Sequence, residues 1–380
     1  FSFLGWIAAF VPLIITPYYC VIGGWVMKYL WTFLSGGALE AADNGGFFSR
    51  FISFDAGSLP ATMLNFSGPT PWFVLFVLIT GLVVIFGVQK GIENASRLMM
   101  PVLAVLIVVI ALYSLTIPGA LAGLKYYLMP DFSQFSASTV LGACGQMFYS
   151  MSLAMGITIT YGSYMPKENL LEHSVTQIEI FDTLFAFFAG LMIIPAVFAF
   201  SGGDMETLQA GPALTFITLP KVFASMGIGT IVGIAFFLMF LFAALTSAIS
   251  LLETSVSTLN DELHWSRGKC CLLMVVVMLV IGTASSFGYG IWDSVKILGM
   301  QFLDFFDFLT NSVMMPIAAL ATCILILKVV GFKRMDAEIE QSSDFKRKKL
   351  YHFFLKYLAS ACVIIILLSS IANVLGWISM

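Results

Sequence analysis

Residues 146–164 read QMFYSMSLAMGITITYGSY, and this stretch decides how the chain folds. It is apolar enough to enter a membrane, yet small and hydroxyl residues occur in it at high density. Close packing between transmembrane helices accounts for such a composition. A helix that unwinds near Ser152–Gly156, so that freed carbonyls and hydroxyls coordinate a cation, accounts for it equally well. The stretch therefore predicts either a tightly packed or an interrupted membrane helix.

The whole chain has the composition of a membrane protein. Its 380 residues are 59% hydrophobic and 10% charged, with a mean hydropathy of +0.98, whereas soluble domains average about 45–50% apolar and 25% charged residues. Long unbroken apolar runs indicate helices rather than the alternating strands of a barrel. We predict an all-α polytopic membrane protein with about nine spans. They cover residues 3–34, 71–88, 95–117, 138–163, 174–200, 224–259, 268–287, 297–330 and 350–377.

The distribution of basic residues predicts the orientation. When the N-terminal edge is placed inside, 13 of the 18 Lys and Arg residues fall on inner loops and helix ends. This asymmetry follows the positive-inside rule. We expect a multi-pass protein of the cell (inner) membrane with a cytoplasmic N-terminal edge and an external C-terminus.

Several functional classes find no support. No basic patch with interleaved aromatic residues indicates nucleic-acid binding, and the six cysteines have neither metal-ligand nor disulfide spacing. His173, His264 and His352 lie at span ends and are expected to be solvated. No nucleophile–base set for an enzyme is evident, and no organic cofactor is expected.

Five acidic residues lie inside predicted spans, where a carboxylate costs about 2.5–3.5 kcal/mol near the helix centre. For Glu179 and Glu253 we favour a structural role, because they lie near the cytoplasmic ends. For Asp182 and Asp307 we favour a functional role. The fifth is Asp304.

Further polar groups lie at membrane depth. Thr246 and Ser247 offer hard oxygen ligands, although Ser and Thr often bond to their own helix carbonyls. The pair Tyr18-Tyr19 lies in mid-span, where a buried hydroxyl partner or a wet cavity is required.

These segments resemble the neurotransmitter:sodium symporter family in its shorter bacterial branch. The matching strings are 18–25, 146–164, 182–190, 243–253 and 304–307. The resemblance implies the LeuT-like fold, a helical bundle of two inverted repeats with a binding site at mid-membrane. It further implies that residues 1–380 form a single transporter domain corresponding to the family's helices 3 to 11. The first two helices are then missing, so on this resemblance the chain corresponds to an incomplete transporter.

The resemblance also implies roles for individual residues. Tyr19 corresponds to the tyrosine that contacts the substrate carboxylate, Ser150 and Asp182 to the first sodium site, and Tyr149 with Asp307 to the external gate. The second sodium site corresponds to the carbonyl of Ala243 and the hydroxyls of Thr246 and Ser247. The substrate-binding set comprises Ile15, Tyr19, Tyr149, Ser150, Ser152, Met155, Ser247 and Leu251.

The implied function is sodium-coupled symport of an amino acid, hydrophobic or aromatic in character, by alternating access. Since Asp182 supplies a negative charge and Ala186 stands where a chloride ligand would be, we expect no chloride requirement. The expected partners are the amino acid, sodium ions and the lipid bilayer. The alternatives are a proton-coupled permease of the same fold and a non-transporting receptor or incomplete fragment.

Overall fold

The computed structural model describes residues 2–43, 45–203, 211–341 and 345–374. The regular secondary structure of these residues is helical, apart from one isolated β-bridge between Ile297 and Met300. The helices of the membrane bundle are α1 (Ser2–Leu34), α2 (Thr70–Ile85), α3 (Val88–Leu115), α4 (Ala137–Ser150), α5 (Ile157–Tyr164), α6 (Leu171–Ser201), α7 (Gly229–Leu263), α8 (Arg267–Phe287), α9 (Phe302–Val330) and α10 (Lys348–Ser369, helical on to Val374).

Shorter helices connect the bundle. They are Ala38–Ala41, Gly46–Ile52, Leu59–Leu64, Ala120–Leu128, Phe132–Gln134, Leu214–Ala224 and Phe332–Ile339.

Seven of the described helices are long and apolar enough to cross a membrane, so the predicted multi-pass helical class is confirmed. The predicted span 71–88 is the 16-residue helix α2. At about 1.5 Å per residue it rises about 24 Å, slightly less than the hydrocarbon thickness of about 30 Å. The predicted span 138–163 is two helices, α4 and α5, separated by a break.

Several predicted boundaries were wrong. The third span begins at Val88 rather than residue 95, because Gly87 at φ +84 ends the preceding segment. The span predicted from residue 297 begins at Phe302, since residues 297–300 form a turn. The span predicted from residue 224 begins at Gly229, and Leu214–Ala224 is a separate helix. The predicted last span, 350–377, is described only as far as Val374.

Helix α1 forms the centre of the bundle and α10 its periphery. The most apolar window of α1 is 61% buried, compared with 6% for α10. Helix α1 packs on α2, α7, α8 and α9, whereas α3 packs on α6 and α7. Gly24 makes the contact of α1 with α2 possible, because a Cβ atom there would lie 2.6 Å from the backbone nitrogen of Phe73. Small residues at such crossings let membrane helices approach closely.

Candidate functional site

The bundle is interrupted between α4 and α5. Helix α4 ends at Ser150 and α5 begins at Ile157, and between them Ser152, Ala154 and Gly156 have φ angles of +53°, +60° and +74°. Left-handed conformations are unfavourable for residues that carry a Cβ atom, and such strain clusters at functional sites. The interrupted-helix prediction is therefore confirmed.

Packing against α1 and α7 holds this break in place. A Cβ atom on Gly156 would lie 2.9 Å from the carbonyl oxygen of Ala8 and 3.0 Å from Cγ2 of Thr254. Pro12 lies inside α1 and has no N–H to donate to the carbonyl of Ala8. Glycine is thus required at position 156 by both the backbone conformation and the lack of space.

The break opens onto a cavity of about 300 Å³, which we call the central cavity. All eight residues of the predicted substrate-binding set line it. Five helices (α1, α3, α4, α5 and α7) and the unwound segment contribute to it. The lining residues are Ile15, Tyr19, Ser96, Met100, Tyr149, Ser150, Ser152, Met155, Ile157, Thr246, Ser247, Ser250 and Leu251.

Ser96, Met100, Ile157 and Ser250 line the central cavity without having been predicted. Ser250 follows Thr246 by one helical turn, and its hydroxyl lies 3.0 Å from that of Tyr161. The spacing of hydroxyls along α7 was a usable signal for Ser250. No comparable sequence signal pointed to Ser96 and Met100, which reach the cavity because α3 packs on α7.

Polar side chains line part of the central cavity. The side chain of Tyr19 interacts with that of Ser247, and the hydroxyl of Ser150 donates a hydrogen bond to the carboxylate of Asp182 on α6. The structure thus brings together two residues that the resemblance assigned to the first sodium site.

The second predicted sodium set lies on one face of α7. The hydroxyl of Thr246 donates to the carbonyl oxygens of Phe242 and Ala243, each at 3.0 Å. Both predicted sets therefore offer hydroxyl, carbonyl or carboxylate oxygens, the ligands that hard cations prefer. Within the described residues no group of three or more His, Cys, Asp or Glu side chains could hold a metal ion.

A second cavity of about 580 Å³, the outer cavity, adjoins the central one. Gln146, Asp307 and Asn311 line it, together with Tyr149, which also lines the central cavity. Asp307 accepts hydrogen bonds from the Tyr18 hydroxyl at 3.1 Å and the Asn311 amide at 2.6 Å. Tyr149 is therefore shared by the two cavities, and the Tyr18 hydroxyl also lies 3.2 Å from the buried hydroxyl of Thr310, a partner that its position required.

The acids for which a structural role was favoured are paired with arginines. Glu253 is fully buried and forms a bidentate ion pair with Arg267, in which one contact measures 3.0 Å. It also accepts from the Tyr164 hydroxyl at 2.8 Å. Glu179 lies 3.5 Å from Arg347. Both carboxylates therefore have an arginine partner within the protein.

Two remaining polar residues have defined partners. Asp304 accepts a hydrogen bond from the hydroxyl of Tyr289 at 2.9 Å. The expectation that His352 is simply solvated was wrong. Its ring stacks on Phe332, with centroids 4.0 Å apart, and its Nε2 lies 2.8 Å from Asp336.

Comparison with known proteins decides the family. The model of the sodium:neurotransmitter symporter family matches residues 47–377. The chain belongs to this family. An uncharacterised sodium-dependent transporter of Bacillus subtilis, YhdH, is 33% identical over 97% of this chain and 79% of its own length. Another from Haemophilus influenzae is 30% identical over 98% of this chain and 78% of its own length.

The solved structure of MhsT in complex with L-phenylalanine is similar to this symporter-family chain with a TM-score of 0.83 and 35% sequence identity. The match covers 97% of this chain and 80% of MhsT. The LeuT-like fold is thereby confirmed, and the chain is a multi-pass, sodium-dependent transporter of the sodium:neurotransmitter symporter family. That family comprises transporters rather than enzymes.

Proposed function

We propose that this protein is a symporter that takes up a hydrophobic or aromatic amino acid together with sodium, by alternating access. The observation that carries the proposal is the central cavity, where α1, α3, α7 and the unwound segment meet at a helix break. Its volume of about 300 Å³ suits one small molecule, and binding sites in transporters of this kind lie at such breaks.

The polar side chains of the central cavity would hold the amino-acid backbone. Tyr19 offers a hydroxyl to the substrate carboxylate, and the unwound segment offers main-chain groups that no helical hydrogen bond consumes. Ser150 and Asp182 would hold a sodium ion beside that carboxylate. A second sodium ion would bind the carbonyl of Ala243 with the hydroxyls of Thr246 and Ser247.

The apolar side chains of the central cavity would hold the substrate side chain. Ile15, Met155 and Leu251 line this cavity and are almost completely buried. Apolar walls reject a charged side chain, because its desolvation is not compensated there. Met155 is flexible and adapts its shape to different ligands. A hydrophobic or aromatic amino acid fits this surface best, and the phenylalanine bound to MhsT, a similar protein, agrees with it.

Tyr149 and Asp307 would close the site toward the outside. Tyr149 lines both cavities, so a change in its rotamer connects or separates them. The Tyr18 hydroxyl and the Asn311 amide hold Asp307 on the outer-cavity side of Tyr149. On this proposal the N-terminal edge of α1 is cytoplasmic, as the positive-inside rule indicates.

The membrane potential would drive accumulation. Each sodium ion moving inward releases about 2.3 kcal/mol per 100 mV, which corresponds to a concentration ratio of about 50. Chloride is not required on this proposal, because Asp182 provides the compensating negative charge.

Uptake into proteoliposomes tests the proposal. The full-length protein is expected to accumulate radiolabelled L-phenylalanine or L-leucine under an inward sodium gradient, and to stop when choline replaces sodium. Accumulation driven by a pH gradient in choline would instead favour a proton-coupled permease. Sodium-dependent binding without counterflow would favour a non-transporting receptor.

A further inference from the structure

A third cavity lies outside the transport pathway. It has a volume of about 260 Å³ and shares no lining residue with the central or outer cavity. We call it the peripheral cavity. Its lining comprises Lys28, Glu40, Phe47, Arg50, Phe51, Phe54 and Ser67.

The peripheral cavity lies farther along α1 than the outer cavity. Helix α1 contacts Asp307 at Tyr18 and continues to Trp25 and then Lys28. The Trp25 ring packs edge-on against Phe48 and against Tyr289, which follows α8.

Two opposite charges line the peripheral cavity without direct contact. The Lys28 ammonium lies 5.9 Å from the ring centroid of Phe47 and 5.7 Å from that of Trp72. In the described part of the chain, neither Lys28 nor Glu40 has an ion-pair partner within 4.0 Å, although the two charges attract each other across the cavity. Arg50, in contrast, pairs with Asp43 at 3.1 Å. The cavity thus presents a cation and an anion that are separated from each other.

Aromatic rings form the remaining wall. Phe47 and Phe51 are buried, with relative exposures of 7% and 3%, and Phe54 is half-buried. A simple anion would be repelled by Glu40 and a simple cation by Lys28, and neither would use the apolar wall. A zwitterion with an apolar side chain complements all three features.

We infer that the peripheral cavity binds a free α-amino acid with a hydrophobic or aromatic side chain. The carboxylate pairs with Lys28, the ammonium group with Glu40, and the side chain packs against the phenylalanine rings. Lys28 supplies the positive charge that sodium would supply in the central cavity on the proposed function, so binding here needs no sodium. The inference concerns a separate site and does not require transport.

Equilibrium binding of radiolabelled L-phenylalanine and L-leucine to the purified full-length protein in sodium-free choline buffer tests this site. Saturable binding is expected in the unmodified protein. Lys28→Gln and Glu40→Gln are each expected to weaken it about tenfold or more, because each removes a charged hydrogen-bonding partner. Lys125→Gln, which changes an exposed lysine that does not line this cavity, is the matched control and should bind normally.

Competing ligands provide a second readout. 3-Phenylpropanoate lacks the ammonium group and 2-phenylethylamine lacks the carboxylate, so both should displace L-phenylalanine less well than unlabelled L-phenylalanine does. The thermal unfolding midpoint of each variant confirms that it folds.

The inference is overturned by the absence of saturable sodium-free binding, or by sodium-free binding that both substitutions leave unchanged. Failure of the proposed function would give a different experimental result. Sodium-driven uptake would then be absent while sodium-free binding, sensitive to Lys28→Gln, persisted.

Discussion

The hydroxyl of Ser150 donates a hydrogen bond to the carboxylate of Asp182, 32 residues further along the chain. Ser150 is the last residue of α4 before the unwound segment, and Asp182 lies on α6. This contact joins the interrupted helix to α6 at Ser150, which lines the central cavity. Since a carboxylate within a span is costly, a cation bound beside the pair would stabilise it.

Asp182 is expected to make transport independent of chloride. Uptake by the full-length protein should be unchanged when gluconate replaces chloride, because the carboxylate already compensates the sodium charge. Asp182→Asn should raise the sodium concentration for half-maximal uptake about tenfold. Glu179→Gln, on the same helix but paired with Arg347, serves as the control and should change it little. A collapse of uptake by the unmodified protein in gluconate would show that the assignment is wrong.

Tyr19→Phe removes only the hydroxyl that faces Ser247 in the central cavity. We expect sodium-dependent amino-acid binding to weaken about tenfold, since a hydrogen bond to the substrate carboxylate is lost. Tyr113→Phe makes the same chemical change on α3, at a residue that does not line the central cavity. Equal affinities for the two variants, measured by equilibrium binding in sodium, would rule out this role for Tyr19.

We expect the aromatic ring of Tyr149 to form the barrier between the central and outer cavities. Tyr149→Ala should join the central and outer cavities and speed the release of bound substrate toward the outside. Tyr149→Phe keeps the ring and should release substrate at close to the normal rate. Dissociation of a labelled amino acid after isotopic dilution measures both rates. A normal rate for Tyr149→Ala would place the barrier elsewhere.

The ion pair of Glu253 and Arg267 is expected to affect stability asymmetrically. Arg267→Ala leaves a fully buried carboxylate without its partner, which costs about 3–5 kcal/mol. The double variant Glu253→Gln with Arg267→Gln removes both charges and should be less destabilised. Thermal unfolding midpoints in detergent compare the two. A single variant as stable as the double one would contradict this account.

The loop helix Phe332–Ile339 is expected to lose stabilisation in acid. Burial of Asp336 opposes ionisation, but hydrogen bonds from His352 and Lys348 outweigh it and lower the pKa of Asp336 below its ordinary value. A lowered pKa means that the stabilisation is complete above the ordinary value of about 4 and is lost as the pH falls through the lowered one. The difference in unfolding midpoint between the unmodified protein and Asp336→Asn should therefore shrink below about pH 4. A difference that stays constant would contradict the assignment.

The helix break shows where prediction from sequence succeeded. The density of Ser, Thr and Gly between residues 146 and 164 left two interpretations, and the positive φ angles at Ser152, Ala154 and Gly156 decide between them. Gly156 is needed because the Ala8 carbonyl lies next to it. That contact joins residues distant in the chain, so no local pattern could reveal it.

The partners of the buried acids likewise could not be predicted from the sequence. Arg267 lies at the start of α8, where its sequence position indicates a solvated residue, yet its guanidinium reaches Glu253 and the carbonyl of Val84. The contributions of Ser96 and Met100 to the central cavity likewise depend on how α3 packs on α7.

The sequence by itself determined that this protein is a bundle of membrane helices. The bilayer, and not the neighbouring segments, sets the length and apolarity that each span must have. It also determined which polar residues lie at membrane depth, since the free-energy cost of placing each one there arises however the helices pack. Only the tertiary structure decided which of those residues meet. Ser150 with Asp182 and Arg267 with Glu253 are brought together by helix packing, which depends on side chains from several helices at once.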